Sequence, residues 1–233
     1  MKKISLILLI FSHLSHAQNN ETKTFGVKQL IVPTLLVGSG LLAMGQDTKD
    51  WQRRWYQGNF SNYSTQADNY IQFAPTALMF GLDLAGVKGK HNLQDKVILT
   101  LISNVLAGGT TYTIKYLAKV ERPDGSSFDS FPSGHTTEAF VGATLLHEEY
   151  GDNSVAYSII GYGLAGTTGA MRMMNNKHWL SDVLVGAGIG IGATKITYAI
   201  YPWLKRKVFK SDKMAIIPTY NGYSGGVVCF IQL

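Results

Sequence analysis

The chain has 233 residues, a length that suits one domain able to bury a core of its own. Lysine and arginine outnumber the acidic residues by 21 to 15, and the formal charge of +6 favours anionic partners such as phosphates or acidic lipid headgroups. Zinc-finger spacings, recognition-helix signals and arginine-rich runs are missing from the sequence, so we expect no nucleic-acid partner. The single cysteine, Cys229, excludes an internal disulfide and a cysteine metal cluster.

Residues 1–17 have the pattern of a secretory signal peptide. Lys2 and Lys3 precede an apolar run over residues 4–11, and small residues lead up to Ala17. We therefore expect export of the chain and cleavage after Ala17, with a short uncleaved anchor as the alternative.

The remaining pattern predicts an all-α bundle of about six helices over residues 18–213, followed by a tail over 214–233. The predicted helices lie at residues 29–45, 71–85, 95–119, 133–149, 156–174 and 178–203. Residues 47–69 are polar but rich in aromatic rings, which is typical of a segment at lipid-headgroup depth or of a surface loop held by its rings. The tail is β-prone around central glycines and predicts a short hairpin packed on the helices.

The sequence is compatible with two positions of the chain relative to a membrane. Glu138 and His147 limit the apolar run between them to far fewer than the ~20 residues of a span, and Asp182 and Lys195 interrupt the last helix. This favours a periplasmic bundle apposed to the membrane. Basic clusters in the loop before residue 96 and after residue 204 instead suit an integral protein of six spans with its chemistry on the outer side. That alternative needs the N-terminus inside, which conflicts with a cleaved signal.

Three short motifs contain residues that bind anions or transfer protons. They are Lys115-x6-Arg122-Pro123, Pro132-Ser133-Gly134-His135 and Arg172-x5-His178-x3-Asp182. Taken singly, each motif has an ordinary structural explanation, namely a charged helix end, the start of a helix and a surface ion pair.

Together the motifs predict a phosphate-binding site. Lys115, Arg122 and Arg172 provide three cations, and the planar guanidinium groups match phosphate oxygens. Ser133 and Gly134 begin a helix, whose free N–H groups and positive dipole end attract an anion. Gly134 has no Cβ, so a ligand can approach its backbone closely.

Two histidines and one aspartate supply reactivity at this site. Asp182, one helical turn after His178, can fix the tautomer of that ring and leave its other nitrogen free to attack. His135 can give a proton to the leaving alkoxide. The sequence has no evident carboxylate cluster for Mg²⁺ or Zn²⁺, so we expect the cations to stabilise the charge without a metal or other cofactor.

The three motifs resemble the signature of the type-2 phosphatidic acid phosphatase superfamily, which includes bacterial acid phosphatases, lipid phosphate phosphatases and vanadium haloperoxidases. The resemblance covers residues 115–182 with every spacing intact, and departs from the family where Met171 replaces a serine. It implies that His178 is phosphorylated, that Asp182 orients it and that His135 protonates the leaving group. It also implies that the phosphate oxygens are bound by Lys115, Arg122, Ser133, Gly134 and Arg172.

The expected function is therefore a metal-independent phosphomonoesterase that acts on an envelope lipid phosphate. Lipid A, phosphatidylglycerophosphate and undecaprenyl diphosphate all fit as substrates, and the oligomeric state is open. A soluble periplasmic non-specific acid phosphatase is one alternative. A non-catalytic lipid-binding protein on the same fold is another, although it would not need both His135 and His178. A vanadium haloperoxidase would use the same ligands but is typically much larger.

Overall fold

The computed structural model describes residues 26–207, 214–220 and 225–231. A 3₁₀ turn, Val27–Leu30, leads into the first of eight α-helices in this part of the chain. The helices are α1 Ile31–Leu42, α2 Gln46–Asn59, α3 Asp68–Ile71, α4 Ala74–Leu84, α5 Leu93–Ala118, α6 Gly134–Tyr150, α7 Val155–Met174 and α8 Leu180–Lys207. Two strands, β1 Met214–Tyr220 and β2 Gly225–Ile231, pair in antiparallel register.

The all-α fold predicted from the sequence is confirmed for residues 26–207, but it has eight helices there instead of about six. Residues 47–69 contribute α2, so the prediction of a surface loop was wrong for most of that segment. The helix predicted over residues 71–85 is α4, which begins three residues later than predicted, and the short helix α3 before it was not predicted. Pro75 lies in the first turn of α4, where its missing N–H costs no hydrogen bond, and it disfavours a continuous helix through this point.

The predictions for the two ends of the chain stay predictions. The predicted signal peptide, residues 1–17, lies outside the described residues. The strands β1 and β2 fall within the predicted tail, but residues 221–224 between them and all side chains of the tail are outside the description. The prediction of a hairpin packed on the helices therefore stays a prediction.

Helix α6 lies at the centre of the bundle and contacts α4, α5, α7 and α8. Its buried side chains Val141, Leu145 and Leu146 pack in one cluster with Met79 of α4 and Leu99 of α5. The van der Waals contacts of such close-packed side chains are individually small and collectively large, whether water or lipid surrounds the bundle. The core therefore holds α6 in position along its length.

Helix α8 approaches α1 and α6 closely because glycines lie at the contacts. A Cβ on Gly186 would lie 2.7 Å from the carbonyl oxygen of Ser133, and one on Gly188 would lie 2.8 Å from that of Pro33. Both distances are shorter than van der Waals contact. Gly186 thus allows α8 to reach the start of α6.

Helices α5 and α8 run antiparallel, so each end of this pair combines the start of one helix with the end of the other. At one end, Nζ of Lys205 in α8 lies 2.5 Å from Oδ2 of Asp95 in the first turn of α5. We call this the basic end, formed by residues 83–96, 147–150 and 198–207. The opposite end, formed by residues 115–138 and 172–182, contains the three sequence motifs, and we call it the motif end.

Helices α5 and α8 are long and apolar enough to cross a membrane. Helices α1 and α2 meet at a bend of 87° and would make a third span only if the bent pair is counted as one. The chain therefore fits a membrane protein, which favours the integral alternative over the apposed bundle. The described residues contain two helices that could span a membrane, or three spans if the bent pair is counted, and not the six of that alternative. The interrupting charges do not prevent a span, because Asp182 is completely buried and Lys195 forms an ion pair with Glu148.

Candidate active site

His178 and Asp182 meet at the start of α8, although they do not lie on one helical face as predicted. The helix begins at Leu180, so His178 belongs to the turn before it. Oδ2 of Asp182 lies 3.3 Å from Nδ1 of His178 and accepts the amide of Trp179 at 2.9 Å. The two side chains are only 2% and 0% exposed. The carboxylate holds the ring through Nδ1, which leaves Nε2 as the nitrogen that can react.

Asp182 is held in turn by three serines. The hydroxyl of Ser130 donates to Oδ2, and that of Ser181 lies 3.3 Å from Oδ1. The amide of Ser133 donates to the backbone carbonyl of Asp182 at 3.0 Å. A buried carboxylate is costly unless it is hydrogen-bonded, so the two hydroxyl groups offset the cost of burying it, and the Ser133 amide joins the start of α6 to the start of α8.

Helix α2 supports the same turn through Gln52, which is 1% exposed. Its Nε2 donates to the carbonyl of His178 at 2.9 Å, and its Oε1 accepts the amide of Leu180 at 2.7 Å. The sequence analysis missed Gln52, because its local pattern does not distinguish it from the exposed Gln57 in the same helix.

Ser133 is the N-cap of α6, and Gly134 is the first residue of the helix. The Ser133 hydroxyl accepts the amide of Thr136 at 3.4 Å. A Cβ on Gly134 would meet no atom within 4 Å, so the space in front of this residue is open. The free N–H groups of the helix and its dipole make this space favourable for an anion.

Lys115 lies in the last turn of α5, and Arg122 lies in the loop that leads from α5 to α6. Nζ of Lys115 donates to the backbone carbonyls of Asp129 and Ser130, the second at 3.3 Å. Nη2 of Arg122 donates to Oδ2 of Asp129 at 3.2 Å. The same loop therefore positions both cations.

Arg172 has a carboxylate partner that the sequence analysis did not identify. Its Nη1 donates to Oδ2 of Asp68 at 2.5 Å, and both side chains are buried. Nε of Arg172 is also buried, and it has no hydrogen-bond partner among the described residues. Asp68 lies in α3, 104 positions earlier in the chain, and no motif in that region marks it.

His135 lies in the first turn of α6, and its Nε2 is 2.8 Å from Oδ1 of Asn69, the residue after Asp68. Burial lowers the pKa of His135 to about 4, and the positive charge of Arg172 acts in the same direction. Burial also lowers the pKa of His178, against the opposing effect of Asp182. Both rings are therefore neutral at neutral pH.

The eight residues predicted from the motifs lie together at the motif end. The charges of Arg172, His178 and Arg122 act on His135. Lys115 in turn lies within the field of the Asp182 and Arg172 charges. Within the described ranges, no group of three or more histidine, cysteine or acidic side chains could hold a metal ion.

Residues 96–206 match the family model described as the PAP2 superfamily. The chain carries a PAP2 superfamily domain. The resemblance inferred from the three motifs is thereby confirmed. The PAP2 protein is also 36% identical over 176 residues to a lipid A 1-phosphatase of Porphyromonas gingivalis. That alignment covers 75% of this chain and 38% of the relative, so the chain spans less than half of the relative's length.

Two solved structures are similar to the PAP2 protein. The crystal structure of Aquifex aeolicus LpxE is 22% identical with a TM-score of 0.47, and the match covers 62% of this chain and 93% of that one. The crystal structure of the first transmembrane PAP2 type phosphatidylglycerolphosphate phosphatase from Bacillus subtilis is 20% identical with a TM-score of 0.46. That match covers 78% of this chain and 98% of the other. The family assignment does not depend on these structures.

Proposed function

We propose that this PAP2 protein is a phosphatase that removes phosphate from an envelope lipid through a phosphohistidine at His178, without a metal. One observation carries the proposal: a buried His178–Asp182 pair lies within the electrostatic field of cationic side chains and is hydrogen-bonded to a helix start that has open space in front of it. This combination joins a nucleophile to an anion-binding site, which is what phosphoryl transfer requires.

The phosphate group would be bound by Lys115, Arg122 and Arg172 together with the amide of Gly134. The unpartnered Nε of Arg172 supports this assignment, because a buried donor gains most from an anionic acceptor. The carboxylates of Asp68 and Asp129 hold the two guanidinium groups in place. Little reorganisation is then needed when the transition state forms.

In the first step, Nε2 of His178 attacks phosphorus while the bond to the leaving oxygen breaks on the opposite side. The protonated form of His135, the minor form at neutral pH, donates a proton to that oxygen, and the alcohol departs. In the second step, the now neutral His135 takes a proton from water, which attacks the phosphohistidine. The N–P bond breaks, inorganic phosphate leaves and both rings return to their starting states.

The lipid substrate is supported by two observations. The Porphyromonas gingivalis relative is a lipid A 1-phosphatase, and α5 and α8 are long enough to cross a membrane. Such helices would bring the motif end to the membrane surface. The basic end carries Lys205, Arg206 and Lys207 in the last turn of α8, so the positive-inside rule puts it in the cytoplasm and the motif end on the periplasmic face.

The test is phosphate release by the purified full-length protein from lipid phosphates and from p-nitrophenyl phosphate. We expect activity to survive EDTA and to be inhibited by vanadate, which mimics the pentacoordinate transition state. His178→Ala should lower kcat by roughly four orders of magnitude or more, as for other lost nucleophiles, and should abolish an acid-labile phosphoenzyme. His147→Gln, outside the motif end, is the control and should form the phosphoenzyme normally. Loss of activity in EDTA, or phosphoenzyme in His178→Ala, would contradict the mechanism.

A further inference from the structure

A cavity of about 260 Å³ opens between α5 and α6 next to the predicted acid His135. Its walls include Lys115, Gly134 and His135, and it continues along the helices past Asn104, Gly108 and Glu138. The volume is slightly below the ~300–1,000 Å³ of pockets that enclose drug-sized ligands. The cavity therefore suits one ring-sized group and not a complete lipid.

The cavity lies on the side of the site where a leaving group is expected. His178 is not part of its walls, whereas His135 is. In phosphoryl transfer, the attacking and leaving atoms lie roughly in line on opposite sides of phosphorus. With His178 attacking from one side and His135 protonating the other, the alcohol portion of the substrate extends past His135 into this cavity.

Glu138 is the unusual side chain of the cavity wall. It follows His135 by three positions on α6, so the two Cβ atoms are about 5–6 Å apart on one helical face. Glu138 is half-buried, yet it makes no hydrogen bond or ion pair with any described residue. Burial raises the pKa of its carboxyl group. A carboxylate without a partner in the protein keeps its hydrogen-bonding capacity for water or for a ligand that enters the cavity.

Asn104 adds a second acceptor to the same wall. Its Nδ2 donates to the carbonyl of Thr100 at 3.1 Å, which leaves Oδ1 as its acceptor. Ionised Glu138 is an acceptor on both oxygens. The part of the cavity beyond His135 therefore presents acceptors, which are complementary to O–H or N–H groups on a ligand.

We propose that this cavity binds a leaving group with several hydroxyl or N–H donors, such as a sugar ring, and that Glu138 determines this specificity by accepting a hydrogen bond from it. The inference rests on the proposed function, since it takes His135 as the acid. A fully acylated glycerol has no hydroxyl to offer Glu138. The second phosphate of a diphosphate would be repelled by the carboxylate.

The experiment compares kcat/KM for two lipids in the same detergent micelles: a glycolipid with a phosphate monoester on its sugar, and phosphatidic acid. We expect the wild type to prefer the sugar phosphate. Glu138→Ala should reduce this preference by about tenfold or more, because a hydrogen bond to a charged group is worth that much. The substrate preference of Glu138→Gln should lie between those of the wild type and Glu138→Ala, since a neutral amide oxygen still accepts a weaker hydrogen bond.

A second variant tests the cavity without touching Glu138. A Cβ on Gly108 would meet no atom within 4 Å, so the cavity has room for the start of a side chain here, and Gly108→Leu is designed to fill it. We expect it to reduce the preference at least as strongly as Glu138→Ala. Gly163→Leu on α7, where a Cβ also meets no atom within 4 Å, is the matched control for this change. Glu148→Gln, later on α6 and outside the cavity, is the control for the loss of a carboxylate and should retain the wild-type preference.

The outcomes separate this inference from the proposed function. An active wild type that treats both lipids equally, or prefers phosphatidic acid, would overturn the inference alone. A substrate preference that stays unchanged in Glu138→Gln and Glu138→Ala would also overturn it. An equal loss of kcat/KM on both lipids in these variants would overturn it too, because it would indicate a structural role for Glu138. A wild type that releases no phosphate from either lipid or from p-nitrophenyl phosphate would instead overturn the proposed function.

Discussion

The two ends of the α5–α8 pair both bury charged side chains, but they treat them differently. At the basic end, Nζ of Lys96 donates to Oδ1 of Asp83 at 2.6 Å and to the hydroxyl of Tyr150 at 2.8 Å. Beside it, Glu149 accepts from the hydroxyl of Tyr198 at 2.6 Å and contacts Nδ1 of His91 at 2.8 Å. Most polar atoms there have partners, with Oδ2 of Asp83 as an exception.

At the motif end, several groups are left without side-chain partners. Lys115 is held by backbone carbonyls, Nε of Arg172 has no partner among the described residues, and Glu138 faces a cavity. The contrast teaches that a buried charge by itself does not mark a functional site. Paired networks are explained by the fold, whereas incompletely paired groups around a cavity indicate a place for a ligand.

Among the variants that compare the two ends, the largest effect is expected for His135 at the motif end. His135→Ala should lower kcat/KM by about 10²–10⁴-fold, the usual contribution of a general acid. Because burial and Arg172 lower the pKa of His135 to about 4, its protonated fraction falls as pH rises above that value. The wild-type rate divided by the variant rate should therefore decrease from pH 5 to pH 8, and substrate ionisation cancels in this ratio. A ratio independent of pH would show that His135 is not the acid.

A substitution in the buried network of the basic end should reduce stability and leave catalysis unchanged. Lys96 is completely buried, so Lys96→Met leaves Asp83 as an uncompensated charge and should reduce the free energy of unfolding by about 3–5 kcal/mol. Denaturant unfolding in detergent measures this, and kcat of the folded fraction should stay near the wild-type value. Lys90→Met, at an exposed lysine of the same region, is the control and should change stability little. A loss of kcat in Lys96→Met comparable to that in His135→Ala would remove the distinction between the two ends.

Substitution of Asp68 should have the smallest effect of the three, and it compares the two ends most directly. Asp68→Asn removes the charge that balances Arg172 and should destabilise the protein by about 1–3 kcal/mol. An oxyanion can replace the lost carboxylate, so vanadate should raise the melting temperature of this variant more than that of the wild type. In Lys96→Met, vanadate should produce only the wild-type shift. Equal vanadate shifts in all three proteins would argue against oxyanion binding at Arg172.

The sequence analysis predicted the helical bundle and the eight motif residues because both depend on short-range patterns. Apolar periodicity locates helices, and the fixed spacing of the motifs carries information about one shared ligand. The details at helix ends were less predictable. His178 and Asp182 suggested one helical face, but the amide of Trp179 is capped by Asp182 and the helix begins only at Leu180. A side chain that caps a helix competes with the continuation of that helix backward.

The amino-acid sequence by itself determined the all-α class, and its motifs singled out the residues to which we assign phosphate binding and catalysis. The tertiary structure alone decided which groups surround them. Gln52, Asp68 and Asn69 contact motif residues that lie 126, 104 and 66 positions away, and no local pattern encodes such pairings. The physical reason is that partners of this kind are selected by the packing of helices distant in sequence, and that packing also decides whether a buried charge is paired or available to a substrate.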